Sequence, residues 1–326
     1  MNCGPEEIAE AVRRLRGGGL VAFPTETVYG LGALALDASA VARVFEAKGR
    51  PNTNPLIVHV SSIAMAKRLT TNWTSHANTL AEKFWPGPLS LVLAKTTNIP
   101  DIVTAGGPTV AIRMPAHPVT LALIEALDEP LVGPSANISG SISPTSAEHV
   151  RSSFDDALVY VLDGGPCQRG IESTVVDVSG TQPRVLRPGL ITDLDIASIL
   201  GVSVSADSES DSIARSPGLS QIHYAPQART MLVDTADLNA SIADGGARVV
   251  AITHSGIVPP FKAFSLGNDP DRYAAQLYAT LRDADALKPD LIAIESLPTG
   301  KTTREQALWR AISDRVSRAS ADRGKQ

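Results

Sequence analysis

The chain of 326 residues is 43% hydrophobic and 19% charged with a formal net charge of −5, the composition of a globular protein with room for two cores. The acidic balance excludes generic, charge-driven nucleic-acid binding, although a basic cleft can sit within an acidic whole, and no apolar stretch reaches the roughly 20 residues of a spanning helix. Cys3 and Cys167 are the only cysteines; without CxxC spacing they indicate neither a disulfide framework nor a zinc site and read as inert thiols.

In chain order, MNCGPEEIAEAVRRLRGG reads as a charged amphipathic helix without the apolar centre of a signal peptide, so a cytoplasmic location is expected. LVAF reads as a strand bounded by glycines and a proline, and the segment after Gly32 as helical, which places PTETVYG at a strand's exit. DASAVARVFEAKG, SIAMAKRL and a segment near SHANTLAEKFW are helical patterns, and PLIVHV is a strand. LSLVLAK, TVAIRM, the helix VTLALIEAL, PLVGPSAN, LVYVLDGG, STVVDVSG and PRVLRPG carry the alternation to about residue 200. Such alternation means a sheet covered by helices, and strands close in sequence predict hairpin pairs within a mixed sheet. Residues 205–227 are polar, Ser-rich and punctuated by prolines, a linker or lid. Beyond them TMLVDT, RVVAIT and DLIAIES alternate with helices such as DRYAAQLYATLRDADAL and EQALWRAISDRVSRAS. The expected organisation is a larger α/β domain over 1–204, the linker over 205–227, and a smaller Rossmann-like α/β domain over 228–326 without a dinucleotide fingerprint.

Three motif resemblances carry no function. Gly300-Lys301-Thr302 ends like a phosphate-binding loop, yet Glu295 stands where that motif's first glycine belongs. Gly133-Pro134-Ser135-Ala136-Asn137 resembles a nucleophile elbow but ends in Asn, with a proline unsuited to the strained turn. The glycosylation tripeptides at Asn72, Asn137 and Asn239 have no meaning without secretion.

Chemistry concentrates at strand ends. PTETVYGLG sets Glu26 between the hydroxyls of Thr25 and Thr27, where an open α/β sheet binds ligands; an N-cap and turn would use the same residue types. Lys48 and Arg50, flanking Gly49 and stiffened by Pro51, put two cations at a helix C-terminus, which suits a polyphosphate and equally compensates a helix dipole. His59, taken alone, reads as a hydrogen-bonded core histidine. Arg113 ends the apolar strand of TVAIRMPAHP and needs an anion to offset its desolvation, either a ligand carboxylate or an internal Asp or Glu. Ser135 and Asn137 in LVGPSANISG, Ser173 and Thr174 in RGIESTVVD, and Arg187 in VLRPG add hydroxyls, an amide and a further guanidinium. With no Ser-His-Asp set, metal cage or carboxylate pair evident, such a site positions and neutralises anions rather than attacking them.

In this order along the chain, PTETVYGLG, KGRPNTNPLIVH, WPGPLS, TVAIRMPAHP, PSANISG, GIEST and LRPG resemble the YrdC/Sua5 family over residues 5–200. SPGLSQIHYAP is similar to the segment that marks the long, two-domain Sua5 form. The resemblance implies an α/β fold: a YrdC-like twisted mixed sheet with flanking helices, then a smaller Rossmann-like Sua5 domain. It implies a nucleotidyltransferase, an L-threonylcarbamoyladenylate synthase, that makes threonylcarbamoyl-AMP and pyrophosphate from L-threonine, bicarbonate or CO2, and ATP. The product would pass to the machinery that forms N6-threonylcarbamoyladenosine at tRNA position 37, with weak or no direct tRNA binding and no membrane. By the same resemblance Thr27, His59, Arg113, Gly133 and Ser173 contact L-threonine, and Arg50, Asn54, Thr109, Ser135, Asn137, Ser143, Arg187 and Tyr224 contact ATP. Lys48 and Arg50 are the implied catalytic residues, dispersing phosphate charge, and Tyr224 with His223 would close over the nucleotide. Mg2+ would accompany ATP without a dedicated protein cage.

Two other readings compete. A carbamoyl-adenylate synthase with another acceptor, as in hydrogenase maturation, would carry zinc-finger and acylphosphatase-like segments that this sequence lacks. An RNA-binding YrdC-type module conflicts with the acidic total charge, and its signature would be a steep salt dependence of RNA affinity.

Overall fold

Strand formation begins at Leu20–Phe23 (β1), which turns at Pro24 and pairs antiparallel with Gly30–Leu34 (β2), Val21 opposite Gly32 and Phe23 opposite Gly30. The segment from Gly30 is therefore the second arm of a hairpin, which corrects the expectation of a helix after Gly32; helix starts only at Ala38. The structure is a computed structural model and describes residues 3–206, 224–238 and 248–321. These fall into two compact units: Gly140–Ser143, Arg169–Ile171 and the described residues from Tyr224 on make the second, the remaining described residues the first.

In the first unit, Pro5–Arg16 (α1) precedes the hairpin and Ala38–Lys48 (α2) follows it. Asp37 caps α2 by accepting from the Ser39 and Ala40 amides, and Gly49 ends it in the left-handed conformation. The buried face of α2 runs through Val41, Val44, Phe45 and Lys48, so helical spacing places the Lys48 amine on the apolar side of its helix. The chain continues through Ile57–His59 (β3), Ile63–Arg68 (α3), Ser75–Phe84 (α4), Leu89–Ala94 (β4), Thr109–Arg113 (β5), Pro118–Leu127 (α5) and Leu131–Val132 (β6). Ala147–Arg151 (α6), Val159–Val161 (β7), Thr174–Asp177 (β8), Arg184–Arg187 (β9), Asp193–Leu200 (α7) and Ser205–Ala206 (β10) complete it.

The ten strands form one sheet in the order β10-β9-β8-β4-β5-β3-β6-β2-β1-β7, with antiparallel pairs such as β4/β5 and parallel ones such as β3/β5 and β4/β8. The sheet is mixed, as the short intervals between strands implied. Its two faces separate by the period of two in each strand. Val58, Leu91, Leu93, Ile112 and Val176 join the main core under the helices, whereas their neighbours Ile57, Val92, Ala111, Val175 and Leu186 form a distinct apolar cluster on the opposite face. That second face is the one that matters for the site, because His59, Arg113 and Ser90 share its parity.

The second unit contains Arg229–Val233 (β11), Val249–Thr253 (β12), Lys262–Ser265 (β13), Pro270–Ala286 (α8), Leu291–Glu295 (β14) and Thr303–Ala319 (α9). Its sheet is all parallel in the order β11-β14-β12-β13, a Rossmann-like α/β arrangement. Within this unit the Ala225 amide donates to the Gly140 carbonyl at 2.9 Å, Arg282 donates to the Ile142 carbonyl, and Tyr224 stacks on Tyr278 with centroids 5.2 Å apart. Among the described residues no helix is long and apolar enough to cross a membrane.

Candidate functional site

The site is assembled by strand register. Parallel pairing of β3 with β5 sets His59 beside Arg113, and antiparallel pairing of β4 with β5, Leu91 opposite Ile112, continues to Ser90 beside Arg113. Ser90 Oγ lies 2.9 Å from Ser173 Oγ, one residue before β8. His59, Arg113, Ser90 and Ser173 thus form one row across four adjacent strands, a row that no stretch of sequence contains.

The PTET turn feeds this row. Thr25 Oγ1 accepts from the Thr27 and Val28 amides, each at 3.1 Å, and donates to the Val28 carbonyl at 2.6 Å, a side chain standing in for backbone in a tight turn. With that proton committed, the 2.9 Å contact between the Thr25 and Thr27 hydroxyls has Thr27 as donor. Thr27 Oγ1 in turn accepts from Arg113 Nη2 at 3.0 Å, and Arg113 Nε donates to the Gly87 carbonyl at 3.2 Å. Arg113 is 4% exposed, and its internal counter-charge is Glu26, whose Oε1 lies 2.7 Å from Nη2 while Oε2 accepts from the Ala116 amide at 2.9 Å. Of the two partners the sequence allowed for Arg113, an internal carboxylate is present. None of these contacts uses Nη1, so the guanidinium keeps one edge for a ligand anion.

His59 is buried and has no hydrogen-bond partner at Nδ1. Burial, together with the positive charge of Arg113, presses its pKa down to about 3 against an opposing backbone hydrogen bond to Ile57, so the ring is neutral at physiological pH. It meets Phe23 edge-on with centroids 5.4 Å apart. A Cβ at Gly133 would stand 2.7 Å from both His59 Nδ1 and Phe23 Cζ, and one at Gly30 or Gly32 would come within 2.8 or 2.9 Å of the Phe23 ring. The glycines of VYGLG are space for an aromatic ring, not a phosphate cradle.

Lys48 Nζ donates to the carbonyls of Ser135 and Asn137, both at 2.6 Å, and the residue is 1% exposed. Burial first, and then the charge of Arg50, hold its pKa well below the ordinary lysine value. Lys48 therefore ties α2 to the Ser135–Asn137 segment, which begins three residues beyond β6. Its amine is held between these two carbonyls on the buried side of α2. Arg50 Nη2 donates to the Pro55 carbonyl at 3.1 Å, around a turn in which the Asn54 amide reaches the Pro51 carbonyl at 3.4 Å. Arg187 clamps the Ser173 carbonyl with Nε at 3.1 Å and Nη2 at 2.8 Å and also reaches Ser173 Oγ at 3.1 Å. Thr109 lines a cavity of about 330 Å³ with Pro55, Leu56, Ala111 and Ser179. Ser143 and Tyr224 belong to the second unit, and His223 lies outside the described residues.

Sequence reasoning singled out Arg113 but did not pair it with Glu26 and Gly87 or set Ser90 beside it. Ser90 had a signal, a lone hydroxyl inside the apolar run LSLVLA. Gly87 had one in WPGP, where an added Cβ would stand 2.2 Å from the Phe84 carbonyl. Cys167, whose thiol is hydrogen-bonded to the Thr25 backbone, is pushed up to about 12 chiefly by burial, so it is a protonated, unreactive group beside the turn. Among the described residues no three His, Cys, Asp or Glu side chains are grouped to hold a metal ion.

A mixed sheet whose second face presents a guanidinium edge, hydroxyls and a neutral imidazole, in a chain that also carries a parallel α/β unit, has the chemistry of a site for small anionic ligands. A family model described as "Telomere recombination" matches residues 13–189, and one described as "Threonylcarbamoyl-AMP synthase, C-terminal domain" matches residues 191–321. The chain belongs to the YrdC/Sua5 family, in the form that carries both domains. It is 40% identical over 321 residues to the threonylcarbamoyl-AMP synthase of Pyrococcus abyssi, covering 95% of this chain and 92% of that one. To the threonylcarbamoyl-AMP synthase of Bacillus subtilis it is 40% identical over 331 residues, with 97% and 94% covered. The crystal structure of P. abyssi Sua5 complexed with L-threonine matches with a TM-score of 0.87 at 39% identity, covering 96% of this chain and 94% of that chain.

Proposed function

We propose that this chain is an L-threonylcarbamoyladenylate synthase, converting L-threonine, bicarbonate or CO2, and ATP to threonylcarbamoyl-AMP and pyrophosphate for N6-threonylcarbamoyladenosine formation on tRNA. The observation that carries this reading is the row His59–Arg113–Ser90–Ser173 with Thr27 on the same guanidinium, in a chain closely similar to a relative solved with L-threonine.

The chemistry asks for positioning rather than a nucleophile. The threonine ammonium first loses a proton to solvent; the free amine then captures CO2, forming a new N–C bond and losing a second proton, and the carbamate oxygen attacks the α-phosphorus as the bond to pyrophosphate breaks. Nη1 of Arg113 is assigned to the threonine carboxylate, with Thr27, Ser173, Gly133 and the neutral His59 shaping the rest of the pocket. The Thr109 cavity beside Arg50 and Asn54 is assigned to the nucleoside end of ATP, and Arg50 and Arg187 to its phosphates. Lys48 contributes by fixing the segment that carries Ser135 and Asn137, while Ser143 and Tyr224 are assigned to ATP from the second unit. Mg2+ enters with the ATP phosphates; the described residues supply no cage for it. A cytoplasmic location and a division near residues 204 and 228 belong to the same reading.

The test is pyrophosphate release with each amino acid in turn, with and without bicarbonate. Release should require L-threonine and bicarbonate together, with serine poorer by the roughly 10- to 200-fold that one methyl provides; threonine-independent release would point to another acceptor.

A further inference from the structure

Glu26 has a charge, a place and an oxygen that makes no hydrogen bond. Its side chain is 8% exposed and that of Arg113 5%, and they approach to 2.7 Å. Yet Glu26 Oε1, though ion-paired with Nη2, makes no properly angled hydrogen bond, while Nη2 donates to the Thr27 hydroxyl and the Ala116 amide is taken by Oε2. The pocket thus holds one buried acceptor with capacity for a donor, next to one guanidinium with capacity for an acceptor.

Three titratable groups that feel this pair, His59, His117 and Cys167, add no charge of their own. His59 is neutral, Cys167 is a thiol, and burial also lowers the pKa of His117 despite the neighbouring carboxylate. Within the pair itself the charges cancel, one positive on Arg113 and one negative on Glu26. A plain carboxylate entering such a site carries an uncompensated negative charge into a buried region containing Glu26, and a plain amine brings an uncompensated positive charge beside Arg113. A zwitterion brings neither.

We infer that Glu26 is a specificity-determining residue: with Arg113 it forms a charge-balanced pair that accepts the zwitterionic form of the amino acid and rejects hydroxy acids and amino alcohols of the same shape. This rests on the reading of the site as a threonine pocket. It extends that reading by assigning selection against the deaminated analogue to a residue in the turn between β1 and β2.

The experiment compares three ligands on the full-length chain by calorimetric binding: L-threonine, 3-hydroxybutanoate, which lacks the amine, and threoninol, which lacks the carboxylate. The wild type should prefer L-threonine to each analogue by at least about 30-fold, and Glu26→Gln should shrink the preference over 3-hydroxybutanoate by at least about tenfold. Glu26→Asp, which keeps the charge, should retain that preference within about threefold. A thermal melt establishes that each variant is folded. An unchanged preference in folded Glu26→Gln overturns the inference while leaving the threonine reading intact, whereas a wild type that does not bind L-threonine overturns the reading itself. Should Glu26→Gln fail to fold, the wild type decides: equal binding of 3-hydroxybutanoate and L-threonine excludes selection by Glu26.

Discussion

Arg113 illustrates how a single residue is made available for a ligand while buried. Three contacts, to Thr27, Glu26 and Gly87, hold the plane of its guanidinium without using Nη1. A planar fork held in this way is not replaced by a point charge. Arg113→Lys should raise the threonine concentration needed for half-maximal pyrophosphate release by about 10- to 100-fold, with the ATP requirement kept; equal loss for both substrates would remove Arg113 from the assigned role. His59 gives a second residue-scale expectation. Its folded pKa of about 3 lies below the value of an unfolded histidine, so between these limits the unfolded chain binds the extra proton. The stability associated with a neutral His59 is complete above about pH 6.5 and is lost as the pH falls toward 3. Denaturant unfolding of the wild type and His59→Gln at intervals from pH 7 to 4 should show a shallower loss of stability in the variant, and parallel curves would contradict the assignment.

At the scale of elements, the hairpin of β1 and β2 turns on the Phe23 ring. Gly30, Gly32 and Gly133 surround that ring closely enough that any Cβ would intrude, and a forced shift of a packed ring costs about 1–3 kcal/mol. Gly30→Ala should destabilise by about that amount, and much of the loss should disappear in Phe23→Leu/Gly30→Ala, a coupling measurable by a double-mutant cycle of unfolding free energies. Additive effects would show that the ring is not the obstacle. The same hairpin shows what the sequence could and could not reveal. LVAF, PLIVHV, TVAIRM and LSLVLA were legible as strands because apolar β-branched runs between breakers have few alternatives. The stretch after Gly32 was misread because Gly-X-Gly has the composition of a turn, and only the tertiary position of Phe23 explains it. Glu26 lay in view within PTET, but its partner stands on another strand, and register is a property of the sheet. Lys48 was visible as a cation near a helix end; that it turns inward follows from sharing a face with Val41 and Val44, a helical spacing that was there to be used.

For the whole molecule, alternating patterns on either side of a polar stretch were enough to expect two α/β bodies. They could not show that Gly140–Ser143 and Arg169–Ile171 are grouped with the second unit, because such assembly joins residues far apart in the chain by carbonyl contacts, such as those of Arg282 with Ile142 and Ser143, that leave no pattern in side-chain type. Under the proposed activity, the residues brought together within the first unit would hold the amino acid, and that activity unites their pocket with nucleotide chemistry. The most direct measurement supplies the purified chain with ATP, L-threonine and carbon-13 bicarbonate and identifies the nucleotide product by mass spectrometry. The expected result is an AMP adduct containing the mass of threonine plus one labelled carbonyl, formed in step with pyrophosphate. An adduct without the labelled carbon or without threonine, or release of ADP and phosphate in place of pyrophosphate, would contradict it.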